Sequence, residues 1–312
     1  MRYLLAALTL CATQAISQVT PDPIAEARSL LDAGRIKGAE TTLREYLKTN
    51  PSNADAHFLL GYALFRDQLA KDSLAEFTEG AKFRRPRADE LKIVASDYVM
   101  LGDYGDADKW FSQVVSEKAN DPDAWYLLGR SQYNENEFAA AISSFEHAIA
   151  LHPRFVEAEN NIGLSWKELN NLDKAQAAFE TAIEWQGGAP EDAQPFLNLG
   201  TLLVEANKFD EAVSYLGKAA KLSPDNPTMH EELGRVYMAQ AKYPQAQGEL
   251  ERAVALAPET SALHYKLAQV YRKEGLTERA NEEFAICSKL NSAHSSTKTP
   301  NPLSLHPAPA PQ

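Results

Sequence analysis

The chain has 312 residues, 44% of them hydrophobic and 24% charged, and 43 acidic against 31 basic side chains give a formal charge of −12. That composition belongs to a folded globular chain, neither collagenous nor low in complexity, and long enough for one large fold or two ordinary domains. The acidic balance leaves no broad basic surface for a phosphate backbone and argues against nucleic acid as a partner. Two cysteines, Cys11 and Cys287, are too few for a disulfide framework.

The chain opens with Met1-Arg2, an apolar run from Tyr3 to Ala12, and Ala15-Ile16-Ser17 before Gln18. One positive charge, a short apolar stretch and a small-x-small site are the order of a secretory signal peptide, which predicts residues 1–17 as a cleaved segment and an exported protein. The run is too short for an integral membrane span of about 20 residues. Leu10, where a lipoprotein signal carries a small residue, argues against a lipid on Cys11. Loss of Arg2 with this segment would leave a net charge of −13.

From residue 20 the sequence repeats. The strings Trp125-Tyr126-Leu127-Leu128-Gly129, Glu159-Asn160-Asn161-Ile162-Gly163, Phe196-Leu197-Asn198-Leu199-Gly200 and His230-Glu231-Glu232-Leu233-Gly234 recur at separations of 34, 37 and 34. Twelve residues after each Gly comes an Ala, then Phe or Leu four further on and Ala three beyond that, as in Ala141-Phe145-Ala148 and Ala212-Leu216-Ala219. Spacings of three and four set these residues on one helical face, where small side chains let two helices approach and the large one fills the gap. Pro51, Pro153, Pro224 and Pro258 close units, so each unit reads as a pair of antiparallel helices.

The pattern resembles the tetratricopeptide repeat family. The resemblance implies an all-α fold, a right-handed α-solenoid superhelix of about eight helix-turn-helix repeats spanning 18–294. Those repeats would be 20–53, 54–87, 88–121, 122–155, 156–189, 193–226, 227–260 and 261–294. The extra Pro190-Glu191-Asp192 between the fifth and sixth predicts a loosened joint. Asp55, Asp89, Asp123 and Glu157 hold the second position of four repeats, where a carboxylate meets the positive end of a helix. After 294, five prolines in thirteen residues with almost no large apolar side chain predict a Pro-rich disordered tail over 295–312.

No catalytic or metal-binding constellation emerges, and no cofactor is expected. His57, His230 and His264 share the fourth repeat position, where the family has an aromatic ring, and read as packing rings. Cys287 takes a small-residue packing position and reads as an inert thiol. In the family, first helices line a concave groove that binds partner segments, with positions five, nine and twelve prominent on it. That implies Phe58, Tyr62 and Phe65 with the adjoining Arg66, then Lys92, then Tyr126, Arg130 and Tyr133 with Asn134. Asn160, Asn161 and Asn198 resemble the asparagine ladder with which some members grip an extended peptide backbone, an amide being able to donate and accept at once. Leu127 and Glu232 interrupt that ladder, and Ser96, four residues after Lys92, departs from the family's basic carboxylate clamp. The reading is a non-catalytic, exported scaffold or adaptor of a bacterial periplasm or extracellular space, binding a protein or peptide. The alternative is an accessory protein of envelope polysaccharide synthesis or export, or of outer-membrane assembly, with polysaccharide as ligand.

Overall fold

A computed structural model describes residues 22–297, with side chains through residue 293. The predicted signal segment and the predicted tail beyond Thr297 lie outside these residues. The described chain is all helix, an all-α repeat solenoid without a strand among the described residues. It falls into two compact units, one ending at Ala119 and one beginning at Asn120.

The first unit holds three helix pairs: α1 (Pro23–Asp32) with α2 (Ile36–Thr49), α3 (Ala54–Arg66) with α4 (Ala70–Ala81), and α5 (Ala88–Leu101) with α6 (Tyr104–Glu117). The second holds five: α7 (Pro122–Asn134) with α8 (Phe138–Leu151), α9 (Val156–Glu168) with α10 (Leu172–Gln186), α11 (Gln194–Glu205) with α12 (Phe209–Leu222), α13 (Pro227–Ala239) with α14 (Tyr243–Leu256), and α15 (Ser261–Lys273) with α16 (Thr277–Thr297). Residues 295–297, expected in the tail, extend α16, because no Gly or Pro interrupts the chain before Pro300.

Each pair turns in the same way. A residue with positive φ follows every first helix: Gly34, Gln68, Gly102, Asn136, Asn170, Asn207, Ala241 and Gly275. The next residue's N–H then donates back to a carbonyl five positions earlier, as Arg35 to Leu30 at 2.8 Å and Lys242 to Tyr237 at 2.8 Å. This is the Schellman arrangement, which satisfies carbonyls that the helix end would otherwise leave unpaired.

The paired helices then close on the gap predicted from the small residues. A β-carbon on Gly163 would stand 2.5 Å from the Phe179 ring, so only glycine lets α9 and α10 meet with that ring fully buried between them. Ala175 and Ala182, on either side of Phe179, are fully buried as well. Several first helices start at side-chain caps: the Asn53 side-chain oxygen accepts from the Ala56 N–H at 3.0 Å, and Asp121 accepts from Ala124 at 3.1 Å. The acids at the second repeat position are therefore first-turn charges and not caps, and Asp55 pairs with Arg84 at 2.8 Å and Asp89 with Lys118 at 2.8 Å.

Two expectations need correction. The histidines at the fourth position are more than packing rings. Each is buried, with Nε2 donating to the carbonyl of a proline six residues earlier and Nδ1 meeting a carboxylate nineteen residues later: His57 with Pro51 and Glu76, His230 with Pro224 and Glu249, His264 with Pro258 and Glu283. The carbonyl belongs to the preceding pair, so each ring ties two neighbours together.

The joint at Pro190–Asp192 is also tied rather than loosened. The Gln186 side chain accepts from the Asp192 N–H at 2.8 Å and the Glu191 N–H at 3.1 Å and donates to the Asp192 carbonyl at 3.1 Å. Ala175 and Phe179 share one buried cluster with Phe196 and Leu199 beyond the insertion.

The turn at Ala241 invites a test, since a side chain in the left-handed region costs roughly 1–2 kcal/mol that glycine does not carry. Glycine gives back about 0.5–1 kcal/mol through the freer unfolded chain. We expect Ala241→Gly to stabilise the protein by about 0.5–1 kcal/mol, read from the denaturant midpoint at unchanged slope.

Candidate functional site

The residues expected to line one groove divide between the two units: Phe58, Tyr62, Phe65, Arg66 and Lys92 in the first, the remainder in the second. In the first unit, α1, α3 and α5 frame a small depression of about 140 Å³, lined by Tyr62 together with Arg28, Asp55, Arg87 and Asp89. Arg66 is exposed, and its guanidinium lies 5.7 Å from the Tyr62 ring centre and donates to the Tyr62 hydroxyl at 3.0 Å. Phe65 and Lys92 are partly buried.

Phe58 is a packing residue. Only 3% exposed, it stacks on Phe77 at 5.8 Å between ring centres and on the Arg84 guanidinium at 4.5 Å. It turns inward because Gly80, at a repeat position usually held by Ala, leaves room for a ring: a β-carbon there would come within 2.7 Å of it. Arg28 was not among the expected residues, although it holds the ninth position of the first repeat, and that position was the signal that could have found it.

In the second unit, Tyr126 is half-buried between Phe155, at 4.9 Å, and Phe145, at 5.8 Å. The Arg130 guanidinium, exposed, sits 5.9 Å from the same ring. The Asn161 amide donates to the Tyr126 hydroxyl at 3.4 Å and to the Glu157 carbonyl at 2.6 Å. Burial is the main cause that raises the Tyr126 phenol above its ordinary range, and Arg130 and Asn161 oppose it. Tyr133 packs edge-on against Phe138, and Asn134, exposed, bonds the Arg130 carbonyl at 2.7 Å.

The asparagine ladder takes a different form from the one expected. Asn160 is 5% exposed, and its carbonyl oxygen accepts from Asn198 at 2.8 Å, while Asn198 accepts from Gln194 at 2.9 Å. Two of the three amides are thus occupied in joining α9 to α11, because Asn160 faces the neighbouring first helix, and a buried amide needs a partner. Asn161 is half-buried beside Tyr126.

Next to this cluster, His152, Arg154, Phe155, Glu157, Glu191 and Asp192 line a cleft of about 380 Å³. The three-residue insertion therefore supplies one wall of the second unit's candidate surface. Sequence spacing could not place it, because an insertion falls outside the repeat frame.

Family models described as tetratricopeptide repeat match residues 24–88 and 161–227, 122–155, and 203–270. The chain is built of tetratricopeptide repeats. It is 27% identical over 154 residues to Protein O-mannosyl-transferase TMTC1 of Mus musculus, covering 48% of this chain and 16% of that protein. It is 26% identical over 136 residues to Protein FlbA of Caulobacter vibrioides, covering 44% of this chain and 22% of that protein. The chain thus spans less than a quarter of either relative. Among solved structures, it resembles a tetratricopeptide repeat protein from Parabacteroides merdae with a TM-score of 0.63 at 18% identity, over 80% of this chain and 97% of that one. It also resembles the type IV pilus biogenesis factor PilW with a TM-score of 0.58 at 19% identity, over 68% and 95%. At that identity the likeness is one of fold.

Outside the candidate surfaces, Asp97 on α5 is fully buried, and burial pushes its carboxyl up to about 7 against the opposing hydrogen bond from Ser73. Ser73 Oγ lies 2.9 Å from the Gly61 carbonyl and 2.6 Å from Asp97 Oδ2, with one proton for two acceptors. A protonated Asp97 completes the relay, donating to Ser73 while Ser73 donates to Gly61. Because the folded state then holds this proton more tightly than the unfolded chain, the stabilisation is present below about pH 4 and is lost as pH rises toward about 7. We expect Asp97→Asn, which keeps a donor to Ser73, to match wild type in acid and to exceed its denaturant midpoint increasingly between pH 4 and 7. A gap independent of pH would contradict the assignment.

Proposed function

We propose that this protein is an exported, non-catalytic scaffold that binds a protein or peptide segment on the inner helices of its repeats, with the principal contact at Tyr126 and Arg130. The observation that carries this reading is the pairing of a ring held rigid by Phe145 and Phe155 with the exposed Arg130 guanidinium, beside the half-buried Asn161 amide. A fixed ring loses little entropy on binding, and an arginine that can pair with carboxylate or carbonyl oxygen is the side chain that tends to dominate interfaces. Peptide is favoured over polysaccharide, because Tyr126 is half-buried among packing rings while the Arg130 guanidinium remains exposed. The word transferase belongs to the mouse relative, of which the aligned stretch is 16%. Export rests on Met1-Arg2, the apolar run after it and Ala15-Ile16-Ser17. No helix among the described residues is long and apolar enough to cross a membrane.

Arg130→Glu is the variant of choice, since Arg130 is exposed and its loss should move stability by no more than about 0.5 kcal/mol. We expect it to weaken partner capture from the native envelope by about 2 kcal/mol or more, roughly thirtyfold in Kd, at unchanged melting temperature. Equal capture by wild type and variant, quantified by mass spectrometry, would remove the site. The intact mass of the protein from its native host should correspond to a chain beginning at Gln18; a retained Met1 would refute export by this route.

A further inference from the structure

Counted in the 34-residue frame, the fourth position carries a ring in five repeats: His57, Trp125, Phe196, His230 and His264. Where that ring is a histidine, it sits over the second helix of its own repeat and against the end of the preceding one. His57 meets Glu76, at position twenty-three, and the Pro51 carbonyl, at position thirty-two of the repeat before. Trp125 stacks on His147, at position twenty-six, with ring centres 4.4 Å apart. In the third repeat the fourth position is Leu91 and in the fifth it is Glu159, and a cleft opens at each, of about 700 Å³ and 400 Å³. Both clefts are walled by the same positions, eleven, nineteen, twenty-two, twenty-three and twenty-six. They are places that a ring of the chain's own fills elsewhere.

The two differ in charge. The fifth-repeat cleft carries Glu146 and Glu159, whose proximity adds to burial in holding the Glu159 carboxyl up at about 7. The third-repeat cleft lies wholly within the first unit. Its walls are Tyr98 and Trp110, the latter 37% exposed, and its rim carries Arg85 and Lys109. The loop entering it, Lys82-Phe83-Arg84-Arg85-Pro86-Arg87, packs four cations into six residues of an acidic protein. Arg84 is spent internally on Asp55 and Glu90. Arg85 and Lys109 are 77% and 75% exposed, in pairs with Glu117 and Asp106 at 2.6 Å, and exposed pairs of this kind exchange readily for another carboxylate.

We propose that the cleft over Leu91 is a second docking site, which receives an aromatic side chain flanked by acidic residues from a partner protein. The incoming ring would take the place that Trp125 takes in the next repeat, against Trp110 and Tyr98, while its carboxylate neighbours meet Arg85 and Lys109. The site goes beyond the inner-helix surface proposed above, because it is built from positions four and eleven and the second helix, whereas that surface uses positions five, six and nine.

The probe is a fluorescein-labelled peptide with one phenylalanine between glutamates, followed by fluorescence anisotropy. Wild type should bind it saturably, and should bind the same peptide with alanine for phenylalanine, or with lysines for glutamates, at least tenfold more weakly. Leu91→Trp installs the missing ring from within, as the fourth repeat already does, and should raise the melting temperature and weaken binding at least tenfold. Trp110→Ala, which removes a partly exposed wall, should also weaken it at least tenfold in a protein that still melts cooperatively. Arg130→Glu should leave this binding unchanged, so its outcome is separate from that of the inner-helix site. The proposal is overturned if wild type shows no saturable binding, if the alanine peptide binds as well, or if either cleft variant binds as wild type does.

Discussion

Each helix pair reverses through a single residue in the left-handed region, and every later feature of the repeats follows from where that reversal falls. The turn fixes which faces of the two helices meet. It brings the eighth position of the first helix opposite the twenty-fourth position on the second, and the ring or leucine there then requires a glycine or alanine across from it. Gly163 against Phe179 is the tightest case, and Ala95 and Ala268 mark repeats in which the fit has relaxed by one methyl group. Stability is accumulated pair by pair, since each pair buries its apolar stripe only against its neighbours.

The helices were legible because their signal is periodic and local: Gly or Ala at the close approaches of the fourth to seventh repeats, and Pro at unit ends. Side-chain fate was less legible, because it depends on the volume across the interface. Phe58 and Asn160 occupy the position expected to face the groove, yet Phe58 is drawn inward by the space above Gly80 and Asn160 by the amide of Asn198. Their neighbours Tyr62 and Asn161 are only half-buried on the same helices. The bonds of His57, His230 and His264 were hidden for another reason: the acceptor is a backbone carbonyl, and backbone groups leave no trace in residue identity.

Charge is distributed with the same economy. In an acidic chain, Arg84 is a hub that caps the Phe58 ring and holds Asp55 and Glu90, while Arg87 adds a second pair to Glu90 and its backbone N–H a further bond. Those bonds outweigh the opposing burial and hold the Glu90 carboxyl below its ordinary range. Glu90 therefore remains a counter-ion near the depression around Tyr62. Asp97, on the same helix two turns on, is the opposite case: with a hydroxyl as its neighbour and no cation, burial prevails.

The histidine ties give the array a polarity. Each imidazole takes its carbonyl from the repeat before it and its carboxylate from its own, so dependence runs toward the N-terminal side and not the other way. Shortening the second unit from its C-terminal end, by removing α15 and α16, leaves the bonds of His230 complete. Shortening it from the front through Pro224 strips an acceptor from a ring that is 2% exposed. The two ends of the same stack are therefore unequal places to cut, and a chain emerging N-terminus first makes each acceptor before the ring that needs it.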